Sequence, residues 1–366
     1  MDKTKVSIPE RFKDHPIFNE TIIGTNFGFM AKRGYYLTEE AKKQPALMKD
    51  MGVNWTTLNM NFCQSTYFSR KVYLDFEFSS GESEILEMTK RLHDNGVNVL
   101  FKPCLTPLDG SWMGLVNFPD SGALKQIQGV DNDYLTQWFT SFSEAEKYFA
   151  DLAERAGIDA LIIGAEYYGT ERHNEWWEKI IKDTKNLFSN PITYEFTHRS
   201  REDYDLEWMK ELDFLSYSYY PPAKAMDMDY INNVTVDTMK TESVEEMKEY
   251  LYPRRKRIRS ISERFWNKPI AFTEFGVRSS NGCIMMPYDF LWNTPYDGEE
   301  QANFMEASLE TFYDLPEWMG FFWWKWDETQ IRPQYHNDPR GNKGFTVQGK
   351  PAEEVMRKWA KKLSIK

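Results

Sequence analysis

The chain has 366 residues, 41 % of them hydrophobic, enough to bury a substantial core as one large barrel or as two ordinary domains. Its formal net charge of −11 argues against a nucleic-acid or anionic-membrane partner, because phosphate binding relies on clustered Lys and Arg, and a neutral substrate fits better. Aromatic residues make up 16 % of the chain, with 13 Trp, 20 Tyr and 25 Phe; most must be core, yet the flat faces of sugar rings also pack well on Trp and Tyr, whose N–H and O–H reach sugar hydroxyls.

The start, Met1-Asp2-Lys3-Thr4-Lys5-Val6-Ser7, lacks the apolar centre of a secretion signal, and no later stretch approaches the ~18 apolar residues that span a bilayer. As written, the chain is expected to be cytoplasmic, or secreted if a signal peptide has been removed. Short apolar or β-branched runs then alternate with helix-like segments from end to end. The runs are Thr21 to Phe29, Val53 to Asn59, Val97 to Pro103, Ala160 to Glu166, Pro191 to Phe196, Phe214 to Tyr219, Pro269 to Phe275 and Met319 to Trp326. Between them, Ser83 to Asn95, Ser143 to Ala156, Asn174 to Phe188 and Glu299 to Tyr313 carry apolar residues at three-to-four spacing. Gly52 and Gly96 each stand just before a run, where helices end.

This alternation is the signature of a parallel sheet covered by helices, and eight such units fit a closed barrel better than an open sheet. The expected fold is therefore α/β: a single (β/α)8 TIM barrel over residues 1 to 366, with no linker, low-complexity tract or sequence repeat to divide it. Long connections follow the sixth run (Pro221 to Thr241) and the seventh (Arg278 to Gly298), on the face where barrels place their active sites. Arg254-Arg255-Lys256-Arg257-Ile258-Arg259 is the one dense basic run; within the helix-like segment Glu245 to Trp266 it reads as a solvated helix face. Cys63, Cys104 and Cys283 show no paired metal spacing, and no structural disulfide is expected of them.

Two of the eight runs end in a carboxylate: Leu161-Ile162-Ile163-Gly164-Ala165-Glu166 and Pro269-Ile270-Ala271-Phe272-Thr273-Glu274. They stand 108 residues apart, room for two strand-helix units between them, so Glu166 closes a fourth strand and Glu274 a seventh. A carboxylate at a strand end often merely caps a helix or sits in solvent. A pair delivered to one barrel mouth suits glycoside hydrolysis, in which one carboxylate attacks the anomeric carbon and a protonated partner donates to the departing oxygen. Glu166 is assigned as acid/base and Glu274 as nucleophile. Tyr219, near the end of the sixth run, is chosen to hold the nucleophile carboxylate. Trp324 and Trp326 share a face if the last run is a regular strand, and one of them is expected to floor the sugar site. Asn59, Lys102, Trp112, Tyr167 and Tyr194 are the further substrate-binding candidates. The motifs H-E-x-x-H, G-x-S-x-G, Walker A and G-x-G-x-x-G are missing; of the dispersed histidines, His198 stands nearest a run end, and no metal or cofactor is called for.

Taken in order, Gly164-Ala165-Glu166, Asp213-Phe214 through Tyr219-Tyr220-Pro221, Thr273-Glu274-Phe275-Gly276, Gly320 to Trp326 and the tail Gly349-Lys350-Pro351-Ala352-Glu353-Glu354-Val355 with Trp359 resemble glycoside hydrolase family 113. These are retaining β-1,4-mannanases of the large clan of (β/α)8 glycosidases whose glutamates end strands four and seven. The resemblance implies the same roles for Glu166 and Glu274, and mannan, glucomannan or manno-oligosaccharides as substrate. An exo-acting enzyme on short oligosaccharides and an idle glycan-binding barrel are the alternatives. Three departures bear on substrate identity: Ala165 stands where the wider clan has Asn, Trp112-Met113-Gly114 lacks the Arg of a W-R-G element, and Tyr194-Glu195-Phe196-Thr197 lacks an Asn-containing end.

Overall fold

The computed structural model describes residues 6–118, 133–197, 206–329 and 342–363. The eight runs form β1 (Ile22–Phe27), β2 (Trp55–Gln64), β3 (Asn98–Pro107), β4 (Ala160–Ala165), β5 (Ile192–Thr197), β6 (Leu215–Ser218), β7 (Ile270–Phe275) and β8 (Trp318–Trp323). Each is parallel to the next, β1 also pairs with β8, and the sheet is a closed barrel in sequence order. β2 and β3 pair over ten positions and so outlast the apolar runs. Their extra turns carry Asn61, Gln64 and Thr106, polar residues that a purely hydrophobic reading cuts off.

Helices Glu82–Asp94, Tyr134–Ala156, Asn174–Leu187 and Gly298–Phe312 fill the expected gaps. Gly52 ends the helix Glu39–Met51 at φ 86°, a left-handed conformation that glycine adopts without strain. The segment Glu245 to Trp266 divides into two helices, Val244–Leu251 and Arg254–Arg264, because Pro253 has no amide hydrogen to continue the first. Along the second helix, Arg255 pairs with Asp314 and Arg259 with Glu317.

Side chains alternate along each strand, and the two faces separate two cores. Inside the barrel, Ile22, Trp55, Leu100, Ile162, Phe214 and Phe322 pack together, and Ile17 and Phe18 close the end where the strands begin. Outside, a larger core lies between strands and helices, where Trp138, Phe142, Tyr167, Trp177, Tyr194 and Trp208 stack edge and face. At the opposite end the long connections meet: Ala223 N–H donates to the Ile284 carbonyl at 2.8 Å and the Tyr230 hydroxyl to Asn281 at 2.6 Å. Together they form a wall beside the ends of β6 and β7.

Candidate active site

Bulges decide which carboxylates face inward. In β7, Phe272 pairs with Phe321 and Phe275 with Trp323, so β7 spends three steps where β8 spends two, and strict alternation is lost between them. Thr273 thus meets Ser216 inside the barrel at 2.5 Å, while Glu274, its neighbour, also turns inward beside Ser218. β4 has the same kind of irregularity between Ile162 and Ala165 against β5. There the space belonging to Gly164 is taken by Tyr194, Trp177 and Tyr167, each about 3 Å from where a Cβ would stand, so a larger residue would force the strand end off its helix layer. Glu166 follows with φ 59°, a backbone state costing about 1–3 kcal/mol in a residue other than glycine; its amide is held by the Glu195 carbonyl at 2.8 Å.

The two glutamates are surrounded differently. Glu166 is half-buried and accepts a hydrogen bond from Trp112 Nε1 at 2.8 Å. Burial, followed by the negative charge of Glu274, raises its pKa against the pull of Ser218, Trp112 and Lys102. Glu274 bonds Lys102 Nζ, accepts from the Tyr220 hydroxyl at 3.0 Å and lies 3.5 Å from the Ser218 hydroxyl. Burial and Glu274 push the Tyr220 phenol well above the usual tyrosine range, which keeps it a donor. Such a site can favour the protonated form of one carboxyl group beside another that accepts hydrogen bonds from an ammonium and a phenol.

Beneath Glu274, Lys102 Nζ donates to Glu195 Oε1 at 2.7 Å, with both side chains almost wholly buried. Burial acts to lower the Lys102 pKa, but the two carboxylates outweigh it and hold the ammonium above the lysine range. Burial raises Glu195, with Lys102 opposing. Trp324 closes the inner wall, its ring centroid 5.6 Å from Lys102 Nζ, 5.5 Å from Lys325 Nζ and 4.5 Å from Phe29.

The structure brings together Glu166, Glu274, Lys102, Trp112 and Trp324 from the expected set and separates the others. Tyr219 does not hold Glu274. Its ring packs outside the barrel against Tyr217, Phe272 and Phe312, and only its amide reaches the Glu274 carbonyl; the hydroxyl on the carboxylate belongs to Tyr220. Trp326 points into the helix layer and bonds Gln44 at 2.8 Å, because β8 stops at Trp323 and alternation stops with it. Tyr167 and Tyr194 are also in that outer layer, joined by a bond from the Tyr167 amide to the Tyr194 hydroxyl, which itself donates to Glu171. Asn59 is inside the barrel but fully buried below the mouth, its amide spent on the Phe27 carbonyl and on Cys104. His198 lies outside the described residues. Ser218, Tyr220 and Glu195 were missed. The signal for the first two was the alternation Ser216, Ser218, Tyr220 against Leu215, Tyr217, Tyr219, and for Glu195 a charge set in an otherwise apolar and aromatic strand.

Tyr220→Phe should lower kcat about 10- to 100-fold, since a hydrogen bond to a charged group is worth about 1.5–3 kcal/mol. Tyr219→Phe should leave kcat within about twofold, as an outer-layer change remote from the carboxylates. Steady-state kinetics of the two variants side by side decides which tyrosine matters.

Among the described residues, no group of three or more His, Cys, Asp or Glu is arranged to hold a metal, the three cysteines are buried free thiols, and no helix is long and apolar enough to cross a membrane.

A parallel eight-stranded barrel with two differently surrounded glutamates at the C-terminal ends of β4 and β7 is an arrangement suited to glycoside hydrolysis. Residues 25–350 match Glycoside Hydrolase Family 113, and the chain belongs to that family and is a glycoside hydrolase. Among solved structures it is similar to the family 113 β-mannanase AaManA from Alicyclobacillus acidocaldarius in complex with ManMIm (TM-score 0.77, 23 % identity, covering 94 % of this chain and 98 % of that one). It is likewise similar to a family 113 β-1,4-mannanase solved as a complex (TM-score 0.76, 23 % identity, 93 % and 99 % covered). The Ruminococcus gnavus β-glucuronidase shares the fold more distantly (TM-score 0.55, 14 % identity, 88 % and 47 % covered). No curated protein sequence matches the chain.

Proposed function

We propose that the whole chain works as one retaining β-glycoside hydrolase acting on β-1,4-mannan, glucomannan or manno-oligosaccharides, with Glu274 as nucleophile and Glu166 as acid/base. The observation that carries this reading is the unequal surroundings of the two carboxyl groups. Burial and its neighbour's charge favour the protonated form of Glu166, while Glu274 is bonded by an ammonium and a phenol, donors that stabilise a carboxylate.

In the first step a Glu274 oxygen bonds the anomeric carbon as the glycosidic C–O bond breaks, and the Glu166 proton passes to the departing oxygen. The Lys102 and Tyr220 donors hold the attacking carboxylate in one orientation. Glu166, now ionised, takes a proton from water; the resulting hydroxide equivalent attacks the same carbon and releases Glu274. Two inversions give net retention. Trp324 offers a flat apolar floor for the sugar ring. Support for mannan comes from family membership and from the mannanases among the similar folds.

The test is hydrolysis of mannan, glucomannan, β-glucan and xylan with sizing of the products. Release of manno-oligosaccharides from mannan and glucomannan is the expected result. Hydrolysis confined to xylan or glucan would sink the mannan assignment, and binding of manno-oligosaccharide without cleavage over hours would sink the enzyme. Mid-chain scission marks endo action, and steady release of one small sugar marks exo action.

A further inference from the structure

Glu195 stands on the inner face of β5, beside Ala165 of β4 and Ser216 of β6, and it is wholly buried. A barrel interior ordinarily fills such a position with an apolar side chain, because burying a carboxylate is costly unless it is paired. The pairing here is specific. Of the three protons on the Lys102 ammonium, one bond goes down to Glu195 Oε1 and another up to Glu274 Oε1, so the ammonium is tethered at the base of the carboxylate that closes β7.

Without Glu195, Lys102 would form a simple one-to-one ion pair with Glu274. That would draw down the charge Glu274 needs for attack and leave the ammonium held from one side only. With Glu195 present, the positive charge is divided and the ammonium is fixed from below. The proton between Lys102 and Glu195 stays on Lys102, whose affinity for it the two carboxylates increase. The ionisable groups facing Glu195 are Lys102 and Cys104 of β3, Glu166 at the end of β4, Tyr220 beyond β6 and Glu274 of β7. Burial holds the Cys104 thiol up at about 12 and the Tyr220 phenol higher than usual, so both are neutral at working pH and the balance lies among Lys102, Glu166, Glu195 and Glu274.

We propose that Glu195 is a positioning residue of this site, acting through the Lys102 ammonium to orient Glu274 and to set the net charge that both mouth carboxyl groups feel. The inference rests on the reading of Glu274 as nucleophile and Glu166 as acid.

Glu195→Gln keeps an oxygen for Lys102 to bond and removes the charge. On mannan, whose departing oxygen needs a proton, the full-length variant should keep KM within about twofold and lose about tenfold in kcat, as expected for a perturbed charge-assisted contact. Both limbs of its pH profile should move to lower pH by about one unit, because a negative neighbour has been taken from each mouth carboxyl group. Glu195→Asp keeps the charge and shortens its reach; it should lose kcat with the limbs in place. A merely structural Glu195 would lower thermal stability in both variants while the limbs stayed put, so unchanged limbs in Glu195→Gln overturn the inference. If that variant does not fold, Glu195→Asp decides alone, and wild-type kcat there overturns it. Wild-type protein inactive on every β-glycoside would instead bring down the glycosidase reading on which the inference depends.

Discussion

Glu274→Ala should abolish turnover of an activated aryl β-mannoside, a loss of about 10⁵-fold or about 7 kcal/mol of transition-state stabilisation, because the proposed mechanism forms its covalent intermediate on Glu274. The variant should still fold, since removal of Glu274 leaves Lys102 bonded to Glu195 and no buried charge loses its last partner. Azide should restore turnover by entering the space vacated by the carboxylate and attacking once. A single displacement inverts, so the rescued product is the α-glycosyl azide. Survival of near-normal activity, or a β-azide, would remove Glu274 from the nucleophile's role.

Glu166→Ala should act differently according to the leaving group. Mannan needs a proton on the departing oxygen, and losing the general acid should cost about 10²- to 10⁴-fold there. Dinitrophenolate leaves without help, so the first step on that substrate survives and the second becomes slow, giving a burst followed by a low steady rate. Azide then attacks the glycosyl-enzyme without base assistance and yields the β-azide, the opposite anomer from Glu274→Ala. The pH profile supplies a second readout. Glu166 must be protonated to act, and its pKa is raised by burial and by Glu274. Wild-type activity on mannan is therefore present below that raised value and is lost as pH rises through it; in Glu166→Ala the residual activity should lack this alkaline limb. A variant that keeps the limb would assign the acid elsewhere.

The barrel was legible because parallel strands buried on both faces read as continuous apolar runs separated by amphipathic helices. β4 and β7 carry the two glutamates in such runs, so strand order alone brought them to one mouth. What strand order does not determine is facing. The bulge in β7 turns both Thr273 and Glu274 inward, which no strict alternation allows, and the end of β8 at Trp323 separates Trp324 from Trp326. Tyr219 and Tyr220 differ by one residue and so by one face, and only the serines at 216 and 218 show which of them looks into the barrel. Tyr167 and Tyr194 went to the helix layer because a large aromatic near a strand end reads equally well as wall or as floor. The Lys102–Glu195 pair joins strands β3 and β5, which are not neighbours in the sheet. It appears only once the barrel is closed.

The most direct measurement is capture of the covalent intermediate. Wild-type protein treated with 2,4-dinitrophenyl 2-deoxy-2-fluoro-β-mannoside, whose fluorine slows release more than attack, should lose activity with time and gain the mass of one fluorosugar. Peptide mass spectrometry should locate that mass on Glu274. Label on another residue, or steady release of the α-configured sugar with no label at any stage, would contradict a double displacement through Glu274.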